Sequence, residues 1–162
     1  MRTRPLGTEL MERYLRSRRL RYFRGHHDGE YFFILTVSRE RLHVHLDMLP
    51  GHRYLFTIRV APAYYFPATH RAGLVRFANK WNRDNHCATA SVHDSSDPSR
   101  VGVVVENSHP IGYRPDFAAY ARFVDDTIES AVTLFAELPP VGAPVDVPAS
   151  PRVLETWLPD AG

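Results

Sequence analysis

The alternation of apolar and polar residues between positions 30 and 60 constrains this chain more than any other feature. Every second residue of Leu42–Leu49 is apolar, and Tyr54–Val60 repeats the pattern. A period of two places alternate side chains on opposite faces of a strand. Asp28-Gly29 and Pro50-Gly51 are turn signals between such runs. The pattern predicts an antiparallel meander with one buried face, in strands at 21–27, 30–37, 42–49 and 54–60.

On either side of these strands the apolar spacing changes to that of a helix. Thr8 is a plausible N-cap for a first helix at 9–18, and Pro115-Asp116 opens a long last helix that ends near Leu138. A second helix at 68–84 precedes two further strands near 87–93 and 101–107. The order is helix, four strands, helix, two strands, helix. This order predicts an α+β fold with the helices on one face of an antiparallel sheet.

The length fits a single domain, which we place at residues 1–138. Residues 139–162 hold six of the thirteen prolines and are expected to form a proline-rich C-terminal tail. The tail contains the apolar cluster Val153–Leu158. This cluster would either fold back onto the domain or act as a short docking segment.

Cysteine usage and hydropathy indicate a cytoplasmic protein. Cys87 is the single cysteine, so an intramolecular disulfide is excluded. No apolar run approaches the roughly 20 residues of a membrane span. Ser17–Leu20 resembles a twin-arginine export signal only faintly, because charged residues follow it.

The charge is unevenly distributed along the chain. Residues 1–24 carry eight arginines against Glu9 and Glu12, whereas 125–162 carry seven acids against Arg152. Such an end could bind nucleic acid or anionic lipid through the first helix. A solvated helix face is the structural interpretation of the same residues.

The residues that could carry chemistry do not form a recognisable active site. His43, His45 and Asp47 share one strand face at about 6.8 Å spacing, too far apart to converge on one ion without further ligands. We interpret them as a polar outer face and expect no metal. His86 points away from Cys87, so Cys87 is interpreted as a small buried hydrophobe. No enzymatic activity and no cofactor are predicted.

Apolar residues in excess of one core are the feature that favours binding. Phe32, Ile34, Leu55 and Val104 fall on the second face of the predicted strands. Phe123 and Leu134 lie on the flank of the last helix, about 100° from its apolar stripe. Exposed apolar surface rimmed by charge is typical of interaction sites. We therefore predict protein binding through Phe32, Ile34, Leu55, Phe123 and Leu134.

The segment Phe77–Asn85 reads FANKWNRDN, in which Asn79, Trp81, Asn82 and Arg83 form a recognisable motif. Together with the order of elements over residues 9–138, it resembles the YbjN family of bacterial sensory transduction regulators. The resemblance implies a fold similar to type III secretion chaperones, without a cofactor. In chaperones of that fold the second helix often forms a homodimer interface, which implies Ala72, Val75 and Asn79 here. From the residues alone, Trp81 completes a core stripe, and Asn82 and Asn85 suit a helix end.

The sequence thus predicts a non-enzymatic, chaperone-like or regulatory adaptor that binds a segment of another protein, as a homodimer. Nucleic-acid or anionic-lipid binding through the arginines is the alternative. A third possibility is a small-ligand pocket between sheet and long helix, near Tyr64, Tyr65, Trp81 and Tyr120.

Overall fold

The computed structural model describes residues 6–48, 55–112, 114 and 116–138. Within these residues the chain forms three α-helices and one seven-stranded antiparallel sheet. The helices are α1 (Leu6–Ser17), α2 (Arg71–Asp84) and α3 (Phe117–Glu137), and a 3-10 turn at Ala68–His70 precedes α2. The strands are β1 (Tyr22–Arg24), β2 (Glu30–Val37), β3 (Glu40–Met48), β4 (Leu55–Pro62), β5 (Phe66–Pro67), β6 (Thr89–Asp94) and β7 (Arg100–Pro110). The predicted α+β class and order of elements are confirmed; the two-residue β5 is an addition.

The sheet runs in the order β1-β2-β3-β4-β7 and then β6. The long β7 pairs along one edge with β4 and, at its first residues, with β5. Along its other edge it pairs with β6. The outermost described strands are therefore β1 at one end of the sheet and β6 at the other.

All three helices pack on one face of the sheet, which we call the inner face. Its strands contribute alternate residues to a single apolar core, as the period of two predicts. Tyr120 of α3 lies at the centre of this core, 4.6 Å from the Phe56 ring and 6.0 Å from the Tyr14 ring between centroids. The core residues of the strands include Tyr31, Phe33, Leu42, Val44, Leu46, Phe56, Ile58, Val60, Val103 and Val105.

Buried tyrosine hydroxyls join the helices to the sheet. Tyr14 of α1 donates to Asp125 Oδ1 of α3 at 2.7 Å, and Arg18 contacts the same carboxylate at 2.5 Å. Tyr31 of β2 donates to Glu12 Oε1 at 2.9 Å. Each hydroxyl thus retains a partner on burial, which avoids the cost of an unsatisfied donor.

Two helix starts differ from expectation. α1 already begins at Leu6, so Thr8 lies inside the helix and is buried instead of capping it. α2 begins at Arg71, because the residues expected as its first turn form the 3-10 turn. Asp116 caps α3 as predicted, accepting a hydrogen bond from the Ala118 amide at 3.0 Å.

The first hairpin is looser than the tight Asp28-Gly29 turn that the sequence suggests. Pairing ends at Arg24↔Tyr31, and the Gly25 amide donates to the Glu30 carbonyl at 2.8 Å. Residues 26–29 therefore form the loop, with Gly29 at φ 91°. A two-residue turn at Asp28-Gly29 would pair His27 with Glu30, and the observed register of β1 and β2 is shifted from this by two residues. A shift of two leaves each side chain on its expected face.

Candidate protein-binding surface

The outer face of the sheet, opposite the helices, carries the candidate site. Cross-strand pairing arranges its side chains in rows that run perpendicular to the strands. One row runs from β1 through Phe23, Phe32, His45, Arg59 and Glu106. Beside it lies the pair Ile34 and His43, and on the other side the pair Glu30 and Asp47. The outer face is thus apolar near β1 on one side and charged on the other.

Phe23, Phe32, Ile34 and His43 line one shallow cavity and form what we call the outer patch. Phe23 is 61% exposed and Ile34 is 45% exposed, although both are large and apolar. Phe32 is half-buried, because its ring stacks on His45 with centroids 4.4 Å apart and planes 4° apart. Exposed apolar neighbours of this kind mark an interaction surface.

The outer patch lies next to a strand edge. Among the described strands, β1 pairs only with β2, so the other side of Tyr22–Arg24 offers unpaired peptide groups. An edge of this kind can accept a further strand from another segment. Apolar anchors and peptide donors therefore occur together at this end of the sheet.

Four of the six described arginines between residues 13 and 24 are already engaged. Arg24 pairs with Glu12 at 3.2 Å and Arg18 with Asp125, while the guanidinium of Arg13 lies 4.1 Å from the Phe117 ring centroid. Arg16 also faces Glu12, at 3.6 Å. These contacts leave fewer free charges for a phosphate-binding stripe than the sequence suggests.

A buried polar network occupies the charged side of the outer face. His45 Nε2 lies 3.1 Å from Glu30 Oε1, and His27 Nε2 lies 3.0 Å from Asp47 Oδ1. The His26 amide donates to Glu30 Oε2 at 2.7 Å, which ties the hairpin loop to the sheet. Imidazole and carboxylate thus alternate from His45 to Asp47. Within the described residues, His45 Nδ1 and Asp47 Oδ1 are buried without a hydrogen-bond partner, so the network is only partly hydrogen-bonded.

Burial controls the ionisation of this network. Desolvation lowers the pKa of His45 to about 4, against the opposing attraction of Glu30. Desolvation also raises the pKa of Asp47, while His27 acts in the opposite direction. His43 has a lowered pKa because of burial and then the neighbouring Arg41. His45 is therefore neutral near pH 7.

The network corrects one interpretation of the sequence. His45 and Asp47 were expected on a polar, solvated face, but they are only 6% and 7% exposed. Local strand geometry places them outward, but the Phe32 ring stacks on His45, and His27 of the loop lies against Asp47. Within the described residues, no group of three His, Cys, Asp or Glu side chains has the arrangement of a metal site.

The structure brings together only two of the five predicted protein-binding residues. Phe32 and Ile34 belong to the outer patch. Leu55 is half-buried at the opposite end of the outer face. Ile34 pairs with His43, and His43 pairs with Ala61, so Ile34 and Ala61 lie in the same row across the sheet. Six residues of β4 separate Leu55 from Ala61, about 20 Å along the strand. Leu55 therefore does not contribute to the outer patch.

Phe123 and Leu134 are not surface residues. They are 8% and 0% exposed and belong to the core. α3 contacts α1 as well as β4 and β7, so its buried surface is wider than the single stripe assumed from the sequence. The prediction that these two side chains form an exposed patch is wrong. Val104, which the sequence places on the second face of the sheet, is 1% exposed and is therefore covered.

The motif on α2 has a structural position. Trp81 is buried, and the side chain of Asn82 forms two hydrogen bonds with the backbone of Ala90 in β6. Its Nδ2 donates to the carbonyl at 2.9 Å, and its Oδ1 accepts from the amide at 2.7 Å. Asn85 Nδ2 donates to the Trp81 carbonyl at 2.9 Å, as expected of a helix end. Asn82 therefore joins helix to strand, in place of the expected contact with free helix carbonyls.

The other predicted surface residues are exposed. Ala72, Val75 and Asn79 share one side of α2, and Val75 is 37% exposed. Arg83 is exposed at the end of the same helix. Cys87 is exposed too, so its interpretation as a buried hydrophobe is wrong.

Sequence reasoning missed Phe23, the most exposed member of the outer patch, and His27, which completes the polar network. Phe23 could have been found from the hairpin alone. A shift of the register between β1 and β2 by two residues changes the paired residues but not the faces. Every such register that has Phe32 on the outer face therefore also has Phe23 there. His27 carries no such signal, because its position depends on the path of the loop.

The fold and this surface define an α+β protein with three helices on one sheet face and a candidate binding surface on the other. The profile of the YbjN family, described as "Putative bacterial sensory transduction regulator", matches residues 8–139. The chain belongs to the YbjN family, as its α2 motif predicts.

A solved structure agrees on the fold. The chain is similar to "YbjN, a putative transcription regulator from E. coli", with a TM-score of 0.60 and 12% sequence identity over 80% of this chain and 88% of that chain. It is also similar to an uncharacterized protein from Methanothermobacter thermautotrophicus, with a TM-score of 0.49 and 8% identity over 81% and 95% of the two chains. Comparison with curated protein sequences gave no match. None of the described helices is long and apolar enough to cross a membrane.

Proposed function

We propose that this protein is a non-enzymatic, chaperone-like regulatory adaptor of the cytoplasm that binds a segment of another protein on the outer patch. The carrying observation is that Phe23 and Ile34 are exposed side by side at the free edge of β1. Membership of a family described as regulators supports the general role. The mechanism requires no chemistry: apolar anchors are buried on the patch, and peptide groups of the segment pair with β1.

The choice of residue decides how sharp a test of this function is. Phe32 stacks on His45, which belongs to the buried network, so a charge at Phe32 would disturb the fold as well as the surface. Phe23 and Ile34 are better probes, because more of each side chain is exposed.

The test is photo-crosslinking in the cells that make the protein, with a photoreactive amino acid at position 23 or 34. We expect a discrete protein adduct at both positions. The matched control carries the same amino acid at the exposed position 122 on α3. If positions 23, 34 and 122 give the same adducts, or none, the outer patch is not the binding surface.

We further propose that the protein is a homodimer through the exposed side of α2 formed by Ala72, Val75 and Asn79. Val75 supports this arrangement, since it is the large apolar side chain that α2 leaves exposed. Sedimentation should give the dimer mass for the wild type and the monomer mass for Val75→Asp. An unchanged dimer in Val75→Asp, or a monomeric wild type, would exclude this interface.

Nucleic-acid or anionic-lipid binding is the less supported alternative. Arg13, Arg18 and Arg24 are engaged within the fold. Salt-sensitive retardation of DNA or RNA at low ionic strength would restore this alternative.

A further inference from the structure

The outer patch has a charged rim on one side, and this rim indicates what kind of segment it accepts. Continuing the register from Tyr22↔Phe33 places Arg21 opposite Ile34. Arg41 lies on the same face as His43, because one buried residue, Leu42, separates them. It pairs with Thr36, so it lies two residues further along the strands than the pair Ile34 and His43. Two exposed arginines therefore flank the Ile34 end of the patch.

Neither of these arginines is neutralised within the part of the chain that the structure describes. Arg21 and Arg41 form no ion pair there, in contrast to Arg18, Arg24 and Arg59. An apolar surface beside two uncompensated cations is complementary to an apolar segment that carries acidic residues.

The chain itself contains such a segment. Residues 153–160 read VLETWLPD, with four apolar side chains, Glu155 and Asp160, and no basic residue. Residues 139–162 as a whole hold three acids against Arg152. The composition therefore matches both the apolar and the charged parts of the outer patch.

The intervening chain is long enough to reach the patch. Fourteen residues, 139–152, lie between the end of the described α3 region at Leu138 and Val153. Fully extended, they span at most about 50 Å. α3 has Tyr120 beside Phe56 and Thr127 beside Asn107, so it runs towards the end of β4 that is level with Ile34. The tail therefore has to pass only round this end of the sheet to reach the outer face. A tethered segment also has an effective concentration near the millimolar range, so weak contacts suffice.

We propose that residues 153–160 dock on the outer patch of the same chain, with Leu154, Trp157 and Leu158 against Phe23 and Ile34 and the acidic residues near Arg21 and Arg41. The proposal uses the surface of the proposed function and makes the tail an intramolecular competitor of the client. A client then binds only when it displaces the tail.

Trp157 provides a direct reporter in the full-length protein. The chain has two tryptophans, and Trp81 is buried in the core, so iodide quenches mainly the fluorescence of Trp157. In the wild type we expect Trp157 to be protected severalfold relative to the synthetic peptide of residues 150–162. Ile34→Asp should restore quenching to the level of that peptide. Phe23→Ser is a second variant, in case Ile34→Asp changes the circular dichroism spectrum.

A charge exchange tests the arginine rim. Arg21→Glu with Arg41→Glu should release Trp157, and adding Glu155→Arg with Asp160→Arg should restore its protection. Arg122→Glu, at an exposed position on α3, is the matched control and should change nothing.

Three outcomes would overturn the proposal. The first is a Trp157 that is as accessible in the wild type as in the peptide. The second is a protection of Trp157 that the patch variants leave unchanged, which would place the tail elsewhere. The third is a protection that increases with protein concentration, which would assign the contact to a second copy.

The crosslinking test of the proposed function detects a client by mass, so its failure is distinguishable from these three outcomes. A docked tail would compete with the client there, so the test is also run with Trp157→Asp, which should release the tail and strengthen the client adducts.

Discussion

The two faces of the sheet are built from neighbouring residues of the same strands, yet they follow different rules. The inner face is apolar along every central strand and is covered by three helices. The outer face changes within two strands from an exposed apolar patch at Phe23 and Ile34 to a buried charged network at Glu30 and Asp47. The inner face determines stability, because burial of apolar area is its main contribution. The exposed side chains of the outer patch, Phe23 and Ile34, are not part of the core.

The sharpest way to test this division is to compare adjacent residues of β2. Phe33→Ala should lower the free energy of unfolding by about 3–5 kcal/mol, because it opens a cavity in the core. Ile34→Ala should lower it by less than about 1 kcal/mol, since Ile34 is 45% exposed. Urea denaturation measures both. Comparable losses would mean that the outer patch is structural.

The pH dependence of stability should come mainly from the outer face. The folded-state pKa of His45 is lowered to about 4 by burial, facing Glu30, Arg59 and His27. Between this pKa and the ordinary value of about 6.5, the unfolded chain binds more protons, so stability falls as pH decreases through that window. His43 and His93, whose pKa values are also lowered by burial, act in the same direction. The raised pKa of Asp47 acts in the opposite direction.

We expect a loss of at most about 3 kcal/mol from His45 between pH 6.5 and pH 4. His45→Gln should flatten the profile in this range, as measured by urea denaturation at several pH values. A variant profile as steep as that of the wild type would show that His45 does not titrate in this way.

Loss of a carboxylate should lower stability more in the buried network of the outer face than at an exposed position of the same face. Glu30→Gln replaces an acceptor of the His26 amide or of His45 by a donor, which should cost about 1–3 kcal/mol. Glu106→Gln breaks the 2.8 Å pair with Arg59, but Glu106 is exposed, so its cost should be below about 1 kcal/mol. Thermal unfolding at pH 7 distinguishes them. Equal costs would argue against a distinct buried network.

The smallest effect is expected at the other end of the sheet. Asn82→Ala removes two hydrogen bonds to the backbone of Ala90 and should cost about 1–2 kcal/mol. Asn79→Ala, at an exposed position on the same helix, should be close to neutral. Hydrogen exchange should also be faster at the Ala90 amide in Asn82→Ala. Unchanged exchange there would mean that β7 alone holds β6 in place.

The spacing of apolar residues was sufficient to predict the helices, the strands and their order, because a buried strand face and a buried helix face each have their own period. It was also sufficient to place Ile34 on the outer face, because the alternation along β2 alone decides which of its residues point outward. It failed for Phe123 and Leu134, because the width of the buried surface of α3 depends on α1, which is distant in sequence. It failed for His45 and Asp47 for a similar reason, since the loop side chain that meets Asp47 cannot be placed from strand pattern.

The contact between Asn82 and Ala90 has a consequence for how far such a sequence can diverge. The side-chain amide of Asn82 binds the peptide group of residue 90, and these hydrogen bonds do not depend on which side chain residue 90 carries. Position 90 can therefore change to another small residue without loss of either hydrogen bond, whereas aspartate at position 82 would lose the donor. A helix attached to a strand through the backbone keeps its place while the side chains around it are exchanged. Attachments of this kind are suited to a fold that is shared at 12% identity.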